Sequence, residues 1–332
     1  MQQIFAADPA TCRVIMVDHR WSHRHLLSIA DLSVADINTL LGKADTLFDE
    51  ARKRPKKSEA LRGRTIINVF FEASTRTRSS FEVAGKRLGA DVINISVATS
   101  SVSKGESLLD TVKNLEVMRA DAMVIRHQAS GAPNYVAKHT RASILNAGDG
   151  MHEHPTQALL DALTIRRHFG TLSGLTVAIC GDIVHSRVAR SNAILLGKTG
   201  SKVRLCGPKT MMPRDAETLG ESATVHANLD EAIDGADVVM MLRIQNERVY
   251  GPVMASTREY SRTFGLNARR LAGAKQNVIV MHPGPINRGV ELDTHLADDV
   301  RSVVLEQVEA GVAVRMAALD LCIGANTEIA PS

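Results

Sequence analysis

The stretch Thr65-Ile-Ile-Asn-Val-Phe-Phe71 leads through Glu72 and Ala73 into Ser74-Thr75-Arg76-Thr77-Arg78-Ser79-Ser80. A short apolar run of this kind reads as a buried strand, and the spacing of Phe81 and Leu88 beyond it predicts a helix from Thr75 to Leu88. A helix start leaves backbone N–H groups unpaired and carries the positive end of the helix dipole. Hydroxyls and guanidinium groups gathered there suit a phosphate dianion. The competing reading is ordinary Ser/Thr capping with two solvated arginines. The position at the carboxyl end of a sheet strand, where open α/β sheets bind ligands, favours a binding loop.

Outward from this segment, short apolar runs alternate with longer helical ones. Strands are expected at Asp91 to Ser96, Ala122 to Arg126 and Ser143 to Asn146, with helices at Ser107 to Arg119 and Pro133 to His139. A second series has strands at Thr176 to Cys180, Lys202 to Cys206, Val238 to Leu242 and Asn277 to Met281. The βαβα order predicts parallel sheets covered on both faces. Ser33 and Asp36 form a capping pattern ahead of Ile37, Leu40, Leu41, Ala44 and Leu47, which predicts an early amphipathic helix. Pro155 at a first helical position opens a connecting helix that should bury Leu159, Ala162 and Leu163. A final helix from Ser302 to Leu321 should bury Val304, Val308, Val312, Val314 and Leu319.

The expected fold is therefore α/β, with two doubly wound parallel-sheet domains joined by a helix and the C-terminal helix packing back across them. The expected boundaries are 1–25 for an irregular N-terminal extension, 26–165 and 166–305 for the domains, and 306–332 for the last helix and tail. Within the extension, Met16 is an alternative start. His19, Arg20, His23, Arg24 and His25 read as a solvated tail rather than a metal site.

A chain of 332 residues with 44% hydrophobic and 23% charged content has ordinary globular composition, long enough for two cores. The net charge of +4 and 3% aromatic content argue against a nucleic-acid partner and its stacking surfaces. The basic run Arg52 to Lys57, broken by Pro55, reads as a solvated connector. Four scattered cysteines form neither a disulfide framework nor a zinc pattern, and Cys180 and Cys206 read as core thiols. No stretch of about 20 apolar residues and no apolar leader core appears, so a cytoplasmic protein without membrane partners is expected.

Further polar segments sit at strand ends. Ser100-Ser-Val-Ser-Lys104-Gly-Glu106 is a small-residue loop with one lysine. Arg126 ends a strand beside His127, whose bland reading is structural. His152-Glu153-His154-Pro155-Thr156-Gln157 opens the connecting helix, and two histidines two residues apart without a third ligand make a metal site the weaker reading. Gly181-Asp-Ile-Val-His-Ser-Arg187 follows a strand but does not match a dinucleotide fingerprint, which disfavours a nicotinamide cofactor. Met241-Leu-Arg243-Ile-Gln245 supplies a second guanidinium, and two such forks fit a dicarboxylate. His282-Pro283-Gly284-Pro285-Ile-Asn-Arg-Gly289 forms a stiff turn with available carbonyls.

Taken in order across roughly residues 25 to 325, the STRTR, SSVSKGE, HPTQ, Arg-x-Gln and HPGPxNRG segments resemble the aspartate/ornithine carbamoyltransferase family. The resemblance implies transfer of a carbamoyl group from carbamoyl phosphate to an amine, in a carbamoyl-phosphate-binding first domain and an amino-acid-binding second one. It implies that Ser74, Thr75, Arg76, Thr77, Ser100 and Lys104 hold the phosphate. Thr77, Arg126 and His154 would meet the carbamoyl oxygen, Gln157 its amino group, and Pro283, Gly284 and Pro285 would line its pocket. Arg187, Arg243, Gln245 and Lys104 would hold an amino-acid carboxylate.

The anion-binding pair Arg243 and Gln245, and HPGP in place of the ornithine enzymes' HCLP, imply L-aspartate as acceptor; ornithine, or an inactive member acting as an assembly or regulatory subunit, are the alternatives. The family needs no cofactor or metal, and its lysine loop reaches a neighbouring subunit, which implies a homotrimer with shared sites in pyrimidine biosynthesis. Whether regulatory or dihydroorotase-like chains join that assembly stays open at this point.

Overall fold

A computed structural model describes residues 19–53, 57–96, 107–244 and 256–329. Helix α1 (Val34–Ala51) starts on a complete capping box: the Ser33 hydroxyl accepts from Asp36 N at 3.1 Å while the Asp36 carboxylate accepts from Ser33 N at 2.9 Å. The chain then runs β1 (Thr65–Phe70), α2 (Thr75–Arg87), β2 (Asp91–Ser96), α3 (Leu108–Glu116), β3 (Ala122–His127), α4 (Ala132–Ala137) and β4 (Ser143–Asp149). These four strands form one parallel sheet in the order β2-β1-β3-β4.

Helix α5 (Pro155–Phe169) leads to the second half, which runs β5 (Thr176–Cys180), α6 (Arg187–Lys198), β6 (Lys202–Cys206), β7 (Ala223–His226), α7 (Leu229–Ile233), β8 (Val238–Met241), α8 (Thr257–Phe264), α9 (Ala268–Leu271), β9 (Ile279–Met281) and α10 (Thr294–Ala297). Its parallel sheet has the order β7-β6-β5-β8-β9. The chain closes with α11 (Val304–Ile329). In both sheets the strand order reverses beside the first strand, between β1 and β3 and between β5 and β8, which leaves a crevice at each carboxyl edge.

From Pro155 to Ile165 every residue of α5 is buried, so this stretch has no solvent face, and only the last turn, with Arg167 and His168, is exposed. One continuous apolar core links it to Ile66, Val124 and Leu145 of the first sheet and to Val177, Ile179 and Val238 of the second. Helix α11 packs against α1, α2 and α5.

Three expectations change. The first concerns α11: Val314 and Leu319 are buried and Val312 is partly so, but Val308 is exposed and Val304 lies at a cavity edge. The inward stripe is instead built of Ala310, Ala313, Ala317, Ala318 and Cys322, because small side chains let the helix lie close on its three neighbours. Second, His19 to His25 is a docked segment rather than a solvated tail. Trp21 is buried, His19 and His23 reach the Asp36 carboxylate at 2.8 and 3.1 Å, and His25 Nδ1 accepts from Ile144 N at 3.0 Å. Third, β7 and the short helices α7 to α10 escaped the sequence reading, since each is too brief to show a period. Cys180 and Cys206 are buried thiols at paired positions of β5 and β6, as read from the sequence. Among the described residues no helix is long and apolar enough to cross a membrane.

Candidate active site

The carboxyl ends of the two sheets face one another across a cavity of about 510 Å³. The first sheet brings Glu72 and the start of α2 from β1, Arg126 from β3, and, after β4, His154 with Gln157 from the start of α5. The second brings Arg187 after β5, Arg243 after β8, and the turn from His282 to Pro285 after β9. Helix α11 closes one wall with Gln307 and Arg315.

At the start of α2, Ser74 takes the capping position, yet its side chain makes no capping hydrogen bond. The simple capping reading of this segment therefore fails, and Ser74, Thr75, Arg76 and Thr77 line the cavity together. Burial, and the neighbouring charge of Arg243, lower the proton affinity of the Arg76 guanidinium. Its guanidinium also lies against Gly284: a Cβ there would come within 2.9 Å of the Arg76 terminal carbon. Gly284 holds φ at +66° in that turn, so glycine meets both the conformational and the steric demand.

Glu72 joins the two halves. Its carboxylate accepts from Arg126 Nη2 at 2.7 Å and from Arg187 Nη2 and Nη1 at 2.9 and 3.2 Å. Arg187 also donates to Gly150 O, and Arg126 to Ala147 O. Both guanidinium groups are almost buried, which strengthens these charge-assisted bonds. Among the described residues, five arginines line the cavity against the single carboxylate of Glu72, an excess that small, multiply charged anions would neutralise.

His154 sits at the N-terminal end of α5, held by its backbone N on Ser191 Oγ at 2.9 Å. Ser191 in turn donates to the buried Glu153 carboxylate, which also accepts from Ser28 and from Ile29 N. One turn beyond Gln157 in α5, Asp161 is fully buried and accepts from Gln157, Gln307 and Asn192. Burial pushes its carboxyl up to about 6, against the opposing effect of those three donors. Burial likewise pushes Arg315 down to about 10; it donates to Ser80 Oγ at 2.9 Å and lies over the Phe81 ring.

The Asp161 carboxyl carries a consequence for stability. The folded chain holds this proton more tightly than the unfolded chain, whose value is near 3.8. This group's contribution to stability therefore falls as pH rises from about 4 to about 6, by on the order of 3 kcal/mol at most. Asp161→Asn cannot ionise, so its melting temperature relative to the parent should climb across that window. Thermal melts from pH 4.5 to 7 would check this, and a constant difference would contradict it.

Of the residues singled out from the sequence, Ser74, Thr75, Arg76, Thr77, Arg126, His154, Gln157, Arg187, Arg243, Pro283, Gly284 and Pro285 all line this one cavity. Ser100, Lys104 and Gln245 lie outside the described residues. Glu72, His282, Gln307 and Arg315 were not singled out as individual site residues. Arg315 had a legible signal, a lone charge inside the apolar run Gly311 to Leu319. Asp161, a lone carboxylate within Ala158 to Thr164, had the same. Among the described residues no group of His, Cys, Asp and Glu is arranged to hold a metal ion.

A strongly cationic cleft built on the switch points of two parallel sheets defines an enzyme-type site for small polyanions. Residues 24–167 match the carbamoyl-P binding domain of aspartate/ornithine carbamoyltransferase, and residues 173–322 match its Asp/Orn binding domain. The chain belongs to the aspartate/ornithine carbamoyltransferase family.

The aspartate carbamoyltransferase catalytic subunit of Sorangium cellulosum is 64% identical over 299 residues, covering 90% of this chain and 92% of that one. The corresponding subunit of Granulibacter bethesdensis is 61% identical, covering 89% and 93%. Aspartate transcarbamoylase from Trypanosoma cruzi, solved with carbamoyl phosphate and aspartate, superposes with a TM-score of 0.81 at 34% identity over 90% of this chain and 95% of that one. Ornithine carbamoyltransferase from Pyrococcus furiosus reaches 0.83 at 28% identity, over 92% and 99%. The backbone alone thus does not choose the acceptor; side chains do.

Proposed function

We propose that the chain transfers the carbamoyl group of carbamoyl phosphate to the α-amine of L-aspartate, releasing N-carbamoyl-L-aspartate and phosphate. The observation that carries this reading is the convergence, in one cavity, of the α2 N-terminus with Arg187 and Arg243 from the opposite sheet. One end suits a phosphate and the other a dicarboxylate, and the high identity to aspartate carbamoyltransferase catalytic subunits supports the same pair of substrates. Ornithine's ammonium would be repelled by the arginines on the acceptor side.

In this mechanism Ser74, Thr75, Arg76, Thr77 and Lys104, with Ser100, hold the phosphate. Arg187 takes the α-carboxylate of aspartate, while Arg243, Gln245 and Lys104 take its side chain. The unprotonated amine attacks the carbamoyl carbon, and Thr77, Arg126 and His154 stabilise the charge that grows on its oxygen. Each such donor is worth about 3 kcal/mol in comparable sites. Gln157 and the Pro283 to Pro285 turn keep the carbamoyl plane in line. The departing phosphate accepts the amine's proton, so orientation rather than a nucleophilic side chain carries the rate.

The deciding experiment is a colorimetric assay for ureido product with aspartate or ornithine supplied. Turnover with aspartate is expected; turnover with ornithine alone would refute the acceptor, and none with either would leave an assembly or regulatory subunit. We further place the chain in a cytoplasmic homotrimer serving pyrimidine biosynthesis, with Ser100 and Lys104 entering a neighbour's site. Mixing the inactive variants Lys104→Ala and Arg76→Ala should then restore part of the activity. Verified subunit exchange without recovery would sink the shared site.

A further inference from the structure

Gln157 lines the cavity and donates its side-chain N–H to Asp161 Oδ1 at 3.0 Å. The same oxygen accepts from Gln307 Nε2 at 2.7 Å, and Oδ2 accepts from Asn192 Nδ2 at 2.8 Å. The orientation of Gln307 is fixed independently, because its Oε1 accepts from the backbone N of His282 at 3.0 Å. Its amino end must therefore face Asp161, and Asp161 Oδ1 must act as an acceptor. An ionised carboxylate has no hydrogen to donate, so both glutamines turn their amino groups toward it. For Gln157 this leaves the carbonyl oxygen as the end free to meet a ligand. A carbonyl selects an N–H donor and gains nothing from a methyl group or a second carbonyl in the same place.

We propose that Asp161 is a positioning residue that fixes the amide orientation of Gln157 and thereby makes the site prefer a carbamoyl group over an acyl group of the same shape. The inference rests on Gln157 facing the carbamoyl amino group. Asp161 is not among the residues lining the cavity, whereas Gln157 and Gln307, which donate to it, are, and Asn192 and Gln307 tie the same carboxylate to α6 and to α11. The Gln307 link also reaches the turn that begins at His282. One carboxylate therefore sets the register of two walls of the cavity.

The test uses acetyl phosphate, in which a methyl replaces the amino group, as a competitive inhibitor against carbamoyl phosphate in the intact enzyme. Preference is the inhibition constant of acetyl phosphate divided by the KM of carbamoyl phosphate. Asp161→Ala should lower it about tenfold, since Gln157 can then present either end. Asp161→Asn, whose amide oxygen can still accept the same N–H, should lower it only two- to threefold. A variant that weakens both compounds by one factor, leaving the preference unchanged, has only a structural role, and that result overturns the proposal. If Asp161→Ala does not fold, the isosteric Asp161→Asn decides by the same criterion. Gln157→Ala separates the two levels. An unchanged preference there removes the reading of Gln157 itself, whereas a fall there with none in the Asp161 variants removes only the role of Asp161.

Discussion

Arg76→Ala should lower kcat/KM for carbamoyl phosphate by about a thousandfold while the protein stays folded. The side chain is partly exposed at a helix start and holds no element together, so its removal costs little stability. What it supplies is charge at the mouth of α2, where unpaired N–H groups already favour an anion. Two charge-assisted hydrogen bonds to a phosphate, at about 2 kcal/mol each, account for a factor of this size. Arg76→Lys should recover only a minor part, because an ammonium cannot reproduce the planar fork. Steady-state kinetics would check both, and a loss below tenfold would show that the phosphate sits elsewhere.

The second large effect is expected at Arg126, in kcat rather than KM. Its guanidinium is fixed by Glu72 and Ala147 O, so it cannot relax toward a ground-state ligand without breaking those bonds. A donor held in this way contributes most when charge grows on the reacting oxygen, and its loss costs about a hundred- to a thousandfold in turnover. Arg126→Ala also removes one of the guanidinium groups held by Glu72, which should tighten its pair with Arg187 and raise the KM for the acceptor. A variant with altered KM and unchanged kcat would move Arg126 from the reacting oxygen to mere binding.

The parallel βαβ order was readable because the inner strands are unbroken apolar runs and the helices between them carry a 3.6-residue period. β7 was not, since four residues at a half-exposed sheet edge are too few to show a period. The site residues that were legible share one property: they lie at or soon after the carboxyl end of a strand, where the sheet directs its ligands. Glu72 follows β1 as well, but nothing local in the sequence tells that its carboxylate spans to Arg126 and Arg187, more than fifty and a hundred residues away. Arg315 and Gln307 reach the cavity from the last helix, and only the packing of α11 across α5 brings them there. The valines of α11 misled for the related reason that bulk was taken for burial, whereas close helix contact selects alanine.

The stretch of α5 from Pro155 to Ile165, buried all round, makes the two halves inseparable in a thermodynamic sense. Either half expressed without the other would leave that helix with one flank stripped of its cover, a surface that water does not tolerate. Heating should therefore melt both sheets in a single calorimetric transition, although each has the outline of an independent domain. It follows that new acceptor specificities in such a scaffold are open to change at the strand-end loops, while exchanging a whole half would require rebuilding the spine they share.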